Sequence, residues 1–181
     1  MAPPPPLARQ AFLQYGVAFT VEGVVAAGPI CADPTNPCIL GSGGGIAIRV
    51  GWRPTQTLYL GGAYELSKQD PGKLYRLGIL QQARGELRRY FPLGSSVTPF
   101  WLLGLGLAGY GNEWSVDTWG PALTAGVGIE DDLSGGSLLG VALVYRAAYF
   151  HSFVDSSTLS HDSGISHFIG LELALEAQEA L

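Results

Sequence analysis

Residues 74–91 read LYRLGILQQARGELRRYF. Taken alternately, the odd positions are Tyr75, Leu77, Ile79, Gln81, Ala83, Gly85, Leu87, Arg89 and Phe91, and the even ones include Arg76, Gln82, Arg84, Glu86 and Arg88. Side chains of a β-strand alternate between two faces, so a strand here has one mostly apolar face and one carrying most of the charge. A helix competes for the same residues. Leu74, Leu77, Leu80 and Leu87 fall near helical spacing, and Gln, Arg and Glu are good helix formers. The stretch alone leaves the two readings level.

The neighbouring segments decide. Residues 57–68 set Leu58, Leu60, Tyr64 and Leu66 against Thr57, Tyr59, Gly61, Ala63 and Glu65, and residues 45–53 set Ile46, Ile48, Val50 and Trp52 against Gly45, Ala47, Arg49, Gly51 and Arg53. Further out, residues 12–25 oppose Leu13, Tyr15, Val17, Phe19, Val21 and Val25 to Gln14, Gly16, Ala18, Thr20 and Glu22. Downstream, residues 97–110 alternate Trp101, Leu103, Leu105 and Leu107 with Gly104, Gly106 and Ala108. Residues 119–130 alternate Pro121, Leu123, Ala125, Val127 and Ile129 with Gly120, Ala122, Thr124, Gly126, Gly128 and Glu130. Residues 138–150 follow with Leu139, Val141, Leu143, Tyr145 and Tyr149 against Gly140, Ala142, Val144 and Arg146. In the last segment Ile165, Ile169, Leu171, Leu173 and Leu175 oppose Ser166, Gly170, Glu172 and Glu176. The same asymmetry thus recurs in eight segments, which predicts an all-β, eight-stranded antiparallel up-and-down barrel.

Composition says which face is inside. Charged residues make up 14% of the chain, against about 25% in soluble domains, and 26 residues are Gly. A soluble, lipocalin-like barrel would put large apolar groups inside and charge outside. Here the polar face is rich in Gly and Ala, which suits the narrow interior of eight strands and would make a poor solvated exterior. That face also carries Arg49, Arg53, Arg76, Arg84, Arg88 and Arg146 against Glu22, Glu65, Glu86, Glu130, Glu172 and Glu176. A buried charge without a partner is costly, so this balance predicts a salt-bridged lumen, closed rather than conducting. Glu86, flanked by Arg84 and Arg88, is the natural pivot if the lumen opens.

No apolar run approaches the roughly 20 residues of a membrane helix, so any bilayer crossing is by strands. Connections after the second, fourth and sixth segments are tight, and those after the first and seventh are long. Short turns on one side and longer loops on the other are the pattern of outer-membrane barrels, with the short turns and both termini in the periplasm. Trp52 and Trp101 near the short turns and Trp119 near the long loops then suit aromatic girdles at the two interfaces. Cys31 and Cys38 flank the turn-rich ADPTNP and read as a disulfide of an oxidising compartment, which would restrict the unfolded chain by about 2–3 kcal/mol. Two free thiols in a reducing compartment are the alternative. The opening MAPPPPLARQ lacks the apolar core of a signal peptide; residues 1–11 read as a Pro-rich tether, residues 12–178 as the barrel and residues 179–181 as a short tail.

The run Thr98-Pro99-Phe100-Trp101-Leu102-Leu103-Gly104-Leu105-Gly106-Leu107-Ala108, with residues 121–130, resembles the Gly-alternating strands of small OmpA-like, opacity-type outer-membrane β-barrels. The resemblance covers nearly the whole chain and implies a bacterial outer-membrane protein in contact with lipid. It departs from the family at Gly170-Leu171-Glu172-Leu173-Ala174-Leu175, where no aromatic residue ends the last strand.

No enzyme, phosphate-binding or cofactor motif is present, and a net charge of −5 without a basic cluster argues against nucleic acid. His151, His161 and His167 gather around the last long loop with Asp155 and Asp162. They are weak candidates for a divalent metal or a hydrolytic site, and polar loop decoration is the simpler reading. The expected function is a non-enzymatic structural or interaction barrel, presenting its loops or anchoring a partner through its tether. The alternatives are a narrow solute or ion channel, an outer-membrane hydrolase and a soluble binding barrel.

Overall fold

In chain order the strands are β1 (Phe12–Ala26), β2 (Gly43–Thr55), β3 (Leu58–Gln69), β4 (Gly78–Tyr90), β5 (Val97–Asn112), β6 (Thr118–Ser134), β7 (Ser137–Phe150), β8 (Phe153–Val154), β9 (Ser160–His161) and β10 (Gly164–Ala180). The computed structural model describes residues 11–32, 38–69, 77–94, 96–155 and 158–181. Eight strands form a closed barrel in the order β1-β10-β7-β6-β5-β4-β3-β2, and every pairing is antiparallel. β8 and β9 make a separate hairpin, and a 3-10 helix spans Gly28–Cys31. The wall strands run from 12 to 17 residues. A transmembrane strand needs about 9–11, so each can cross a bilayer with a margin at both ends.

The stretch on which two readings stood level is the strand β4. Its even residues Gln82, Arg84, Glu86 and Arg88 are buried, whereas Ala83, Gly85 and Arg89 on the odd positions are exposed. It is shorter than residues 74–91: positions 74–76 lie outside the described residues, and Pro92, which has no N–H to donate, follows Phe91 and ends the pairing. The second segment, read as residues 45–53, ends two residues later than the alternation places it. β2 continues to Thr55 through a register irregularity after Trp52, where Pro54 is tolerated because the ladder is already broken. β6 runs to Ser134, and only Gly135 (φ 60°) and Gly136 (φ 82°) lie between it and β7. Two positive φ values in a two-residue connection give the hairpin geometry that matches strand twist, and Gly adopts them without strain. The 3-10 helix and the β8–β9 hairpin were not foreseen; their sequences carry turn residues but no period.

The exterior is apolar along the middle of the wall. Val21 (69% exposed), Leu105 (70%) and Val127 (60%) point outward, together with Ile46, Ile48, Leu103, Leu143, Leu171 and Leu173. Exposing so much apolar area to water would cost on the order of 25 cal/mol per Å². Hydrocarbon carries no such penalty, so the barrel is a transmembrane one. Ala11, Leu181 and the short turns lie at one end, and the strand ends Ala26, Gly43, Gln69, Gly78, Asn112, Thr118, Phe150 and Gly164 lie at the other.

Candidate functional site: the charged interior and its cap

The inward side chains form stacked layers. Nearest the short turns, Arg53 pairs with Glu130 at 2.8 Å and its guanidinium lies 3.9 Å from the centre of the Tyr90 ring. The Tyr90 hydroxyl donates to Glu130 at 3.0 Å, and the Gln14 amide donates to both Glu130 and Glu176. Next, Arg88 grips Glu176 with two nitrogens, each at 3.0 Å, and stands over the Tyr59 ring at 4.8 Å. Two-point pairing of this kind is the strongest arrangement available to Arg. Arg49 sits between Glu86 (3.3 Å), Glu172 and Glu176 (3.8 Å).

Above them, Arg84 reaches Glu65 at 2.7 Å, Glu86 at 2.9 Å and Glu172 at 3.4 Å. Arg146 reaches Glu22 and Glu65, both at 2.7 Å, and Glu172 at 2.8 Å. Ser67 and Gln69 donate to Glu22, and Thr20 donates to Glu65 at 3.0 Å. All these charged groups are buried, from Glu65 at 1% to Arg53 at 8%. A void of about 10 Å³ beside Arg49, Arg88, Phe100 and Glu176 leaves room for about one water.

Arg76, which the alternation assigned to the lumen, lies outside the described residues. Among the described residues the interior holds five Arg (49, 53, 84, 88, 146) and six Glu (22, 65, 86, 130, 172, 176). Neutral donors add to the ion pairs: Gln14 and Tyr90 serve Glu130, and Ser67 and Gln69 serve Glu22. Sequence reasoning passed over these residues because a neutral inward side chain has no charge to flag it. Inward parity was the available signal.

At the long-loop end the lumen is covered by apolar groups. Ile30, Ile39 and Leu40 come from the connection between β1 and β2 and pack with Leu80, Tyr110, Phe150 and Phe168 of the wall. The Tyr110 hydroxyl donates to the carbonyl of Ile39. Cys31 and Cys38 are joined by a disulfide, with Cα atoms 4.8 Å apart, so the two cap segments are tied covalently.

The three histidines do not converge. His151 is exposed beside the rings of Trp119 and Tyr149, with Nδ1 2.6 Å from the Trp119 carbonyl; Nδ1 of His167 lies 2.6 Å from the Tyr145 hydroxyl. His161 is buried, with Nδ1 3.0 Å from the Ile30 carbonyl and Nε2 3.0 Å from an Asp155 carboxylate oxygen. Asp162 is exposed. Among the described residues no group of three His, Cys, Asp or Glu is placed to hold a metal. In a hydrolytic triad the carboxylate takes one ring nitrogen and leaves the other for the nucleophile; both nitrogens of His161 are already taken.

Trp52 (49% exposed) and Trp119 (57%) point out of the wall at opposite ends of the barrel, and Trp101 is half-buried on the outer face near the short turns. Trp114, 76% exposed in the turn after β5, joins the long-loop rim.

No protein-family model matches the sequence, and no curated protein matches it either. Solved structures do. Neisserial surface protein A superposes with a TM-score of 0.61 at 15% identity, over 92% of this chain and 96% of that one. The outer membrane protein OprG of Pseudomonas aeruginosa gives 0.63 at 12% identity, over 96% and 97%. The outer membrane protein AlkL gives 0.56 at 12% identity, over 100% and 95%. Identity this low speaks to architecture, and the closed antiparallel wall, the apolar belt and these superpositions agree: the chain has the fold of the small eight-stranded outer-membrane β-barrels.

Proposed function

We propose that this chain is a closed, non-enzymatic barrel of the bacterial outer membrane whose work is done by what it displays at its ends. The observation that carries this reading is the packed middle of the lumen, where Arg and Glu are paired, with the Ile30, Ile39 and Leu40 cap above them. A conducting path would have to separate buried ion pairs, and breaking a buried pair costs about 3–5 kcal/mol.

The long connections then face the cell exterior and form the interaction surface. The Pro-rich segment before Ala11 joins the barrel at the short-turn end, where it serves as a tether towards a periplasmic partner. Trp52, Trp101 and Trp119 mark the two lipid interfaces, where an indole ring has one apolar and one wet side. Lipid is the partner that the wall itself requires.

Planar-bilayer recording of the refolded protein tests the closed lumen. The expected record is flat, without step conductance at either polarity. Steps in the unmodified protein that change size or frequency in Glu86→Ala would overturn this reading in favour of a channel.

A further inference from the structure

We propose that His161 is a proton-dependent clamp that fastens the β8–β9 hairpin to the cap over the lumen. The ring is 6% exposed, stacked on Phe153 at 4.9 Å, and has an oxygen 3.0 Å from each nitrogen. One oxygen is the Ile30 carbonyl, which can only accept. The other belongs to Asp155, whose second oxygen accepts the Leu159 N–H at 3.0 Å. Both contacts are hydrogen bonds only when both ring nitrogens carry protons, which is the imidazolium form. In neutral histidine one nitrogen is a bare lone pair. It then faces either the carbonyl or the carboxylate, and one arm of the clamp becomes a repulsion. The sign follows: the clamp is complete when the ring carries both protons and loses an arm when one leaves, so it weakens as pH rises.

Among the described residues, the elements packed on the ring supply no competing switch. The 3-10 helix Gly28–Cys31 presents the Ile30 carbonyl, and its Cys31 is held in the disulfide. β8 presents Phe153, and Asp155 immediately follows that strand. Asp162, the next residue in the chain, is exposed. Asp155 is therefore the charged group facing the ring among the described residues. Because Ile30 belongs to the apolar cap, a proton on His161 couples the last long connection to the closure of the mouth.

Hydrogen exchange of the whole protein in detergent micelles, followed by mass spectrometry at pH 5 and pH 8 and corrected for intrinsic rates, tests the clamp. Protection of residues 28–32, 153–155 and 158–161 should fall about tenfold from pH 5 to pH 8, the scale of one charged hydrogen bond. His161→Gln should show low protection at both pH values, and His151→Gln and His167→Gln should keep the wild-type response. Heat-modifiable gel mobility reports whether each barrel is folded. Should His161→Gln fail that check, Asp155→Asn takes its place, with the same loss of response expected. Equal protection of the wild type at both pH values, or a pH response that survives in the folded clamp variant, would overturn the proposal.

Discussion

Arg146 on β7 and Glu65 on β3 are four strands apart whichever way round the barrel one counts, yet their side chains meet at 2.7 Å on its axis. Arg146 also holds Glu22 and Glu172, so three carboxylates share this guanidinium. Removing it by Arg146→Ala should destabilise the barrel by about 3–5 kcal/mol, the range for orphaning a buried charge, and Arg146→Glu by more. Lys68 is exposed on β3 near the long loops, and Lys68→Glu should stay within about 0.5 kcal/mol of wild type. Urea unfolding in detergent, followed by tryptophan fluorescence, compares them; equal midpoints for Arg146→Glu and Lys68→Glu would contradict the axial position of Arg146.

Gly104 and Gly106 look equivalent in sequence, two inward positions of one strand, but the wall treats them differently. A methyl group at Gly104 would meet Arg84 Cδ at 3.2 Å, the flexible stem of a long side chain, with the other nearest atoms at 3.4 Å. At Gly106 it would strike the Ala83 carbonyl and approach the Arg84 Cα to 2.6 Å, both backbone of the paired strand β4. Gly106→Ala should therefore cost about 1–3 kcal/mol, as overpacking does, and Gly104→Ala less than about 1 kcal/mol. Similar losses for the two would show that the inward glycines are interchangeable.

The disulfide should stabilise the cap rather than the wall. Without reduction, denatured protein should show no alkylatable thiol by mass spectrometry. In a Cys31→Ala, Cys38→Ala double variant, loss of the cross-link should weaken the cap by about 2–3 kcal/mol, seen as faster hydrogen exchange over residues 38–40. Heat-modifiable mobility should remain. A double variant that no longer forms a barrel would show instead that this connection is needed to close the wall.

The parts legible from sequence are those governed by a period. A lipid-facing wall around a narrow polar lumen favours apolar residues at every second position and small or polar ones at many of the others, so Leu103, Gly104, Leu105 and Gly106 declare their faces without help. What depends on distance across the lumen was not legible. Arg146 has six Glu of the right parity to choose from, and its choice of Glu22, Glu65 and Glu172 is set by the height of each strand in the barrel. The cap escaped for a different reason: Ile30, Ile39 and Leu40 belong to no strand, and only their burial distinguishes them from loop residues. The histidines cluster in sequence, but β10 carries His167 onto the outer wall while His161 turns inward beneath the β8–β9 hairpin.

Direction across the membrane follows from the same parity of construction. Eight strands return the chain to its starting side, so Ala11 and Leu181 lie together, with the Leu181 N–H donating to the Ala11 carbonyl at 3.0 Å. The turns Gln56–Thr57 and Gly135–Gly136 lie at that end, and short turns face the periplasm in barrels of this kind. Positive charge gives no guidance, because that rule governs helical spans. Ser96, exposed near the turn between β4 and β5, and Ser163, exposed just before β10, therefore stand on opposite sides of the bilayer. In a variant with both native cysteines replaced by Ser, Ser163→Cys should react with an impermeant maleimide on intact cells, and Ser96→Cys should react only after the outer membrane is permeabilised. Labelling of Ser96→Cys with protection of Ser163→Cys would invert the barrel, and it would move the cap over Arg146 and Glu65 from the outer face of the cell to the periplasm.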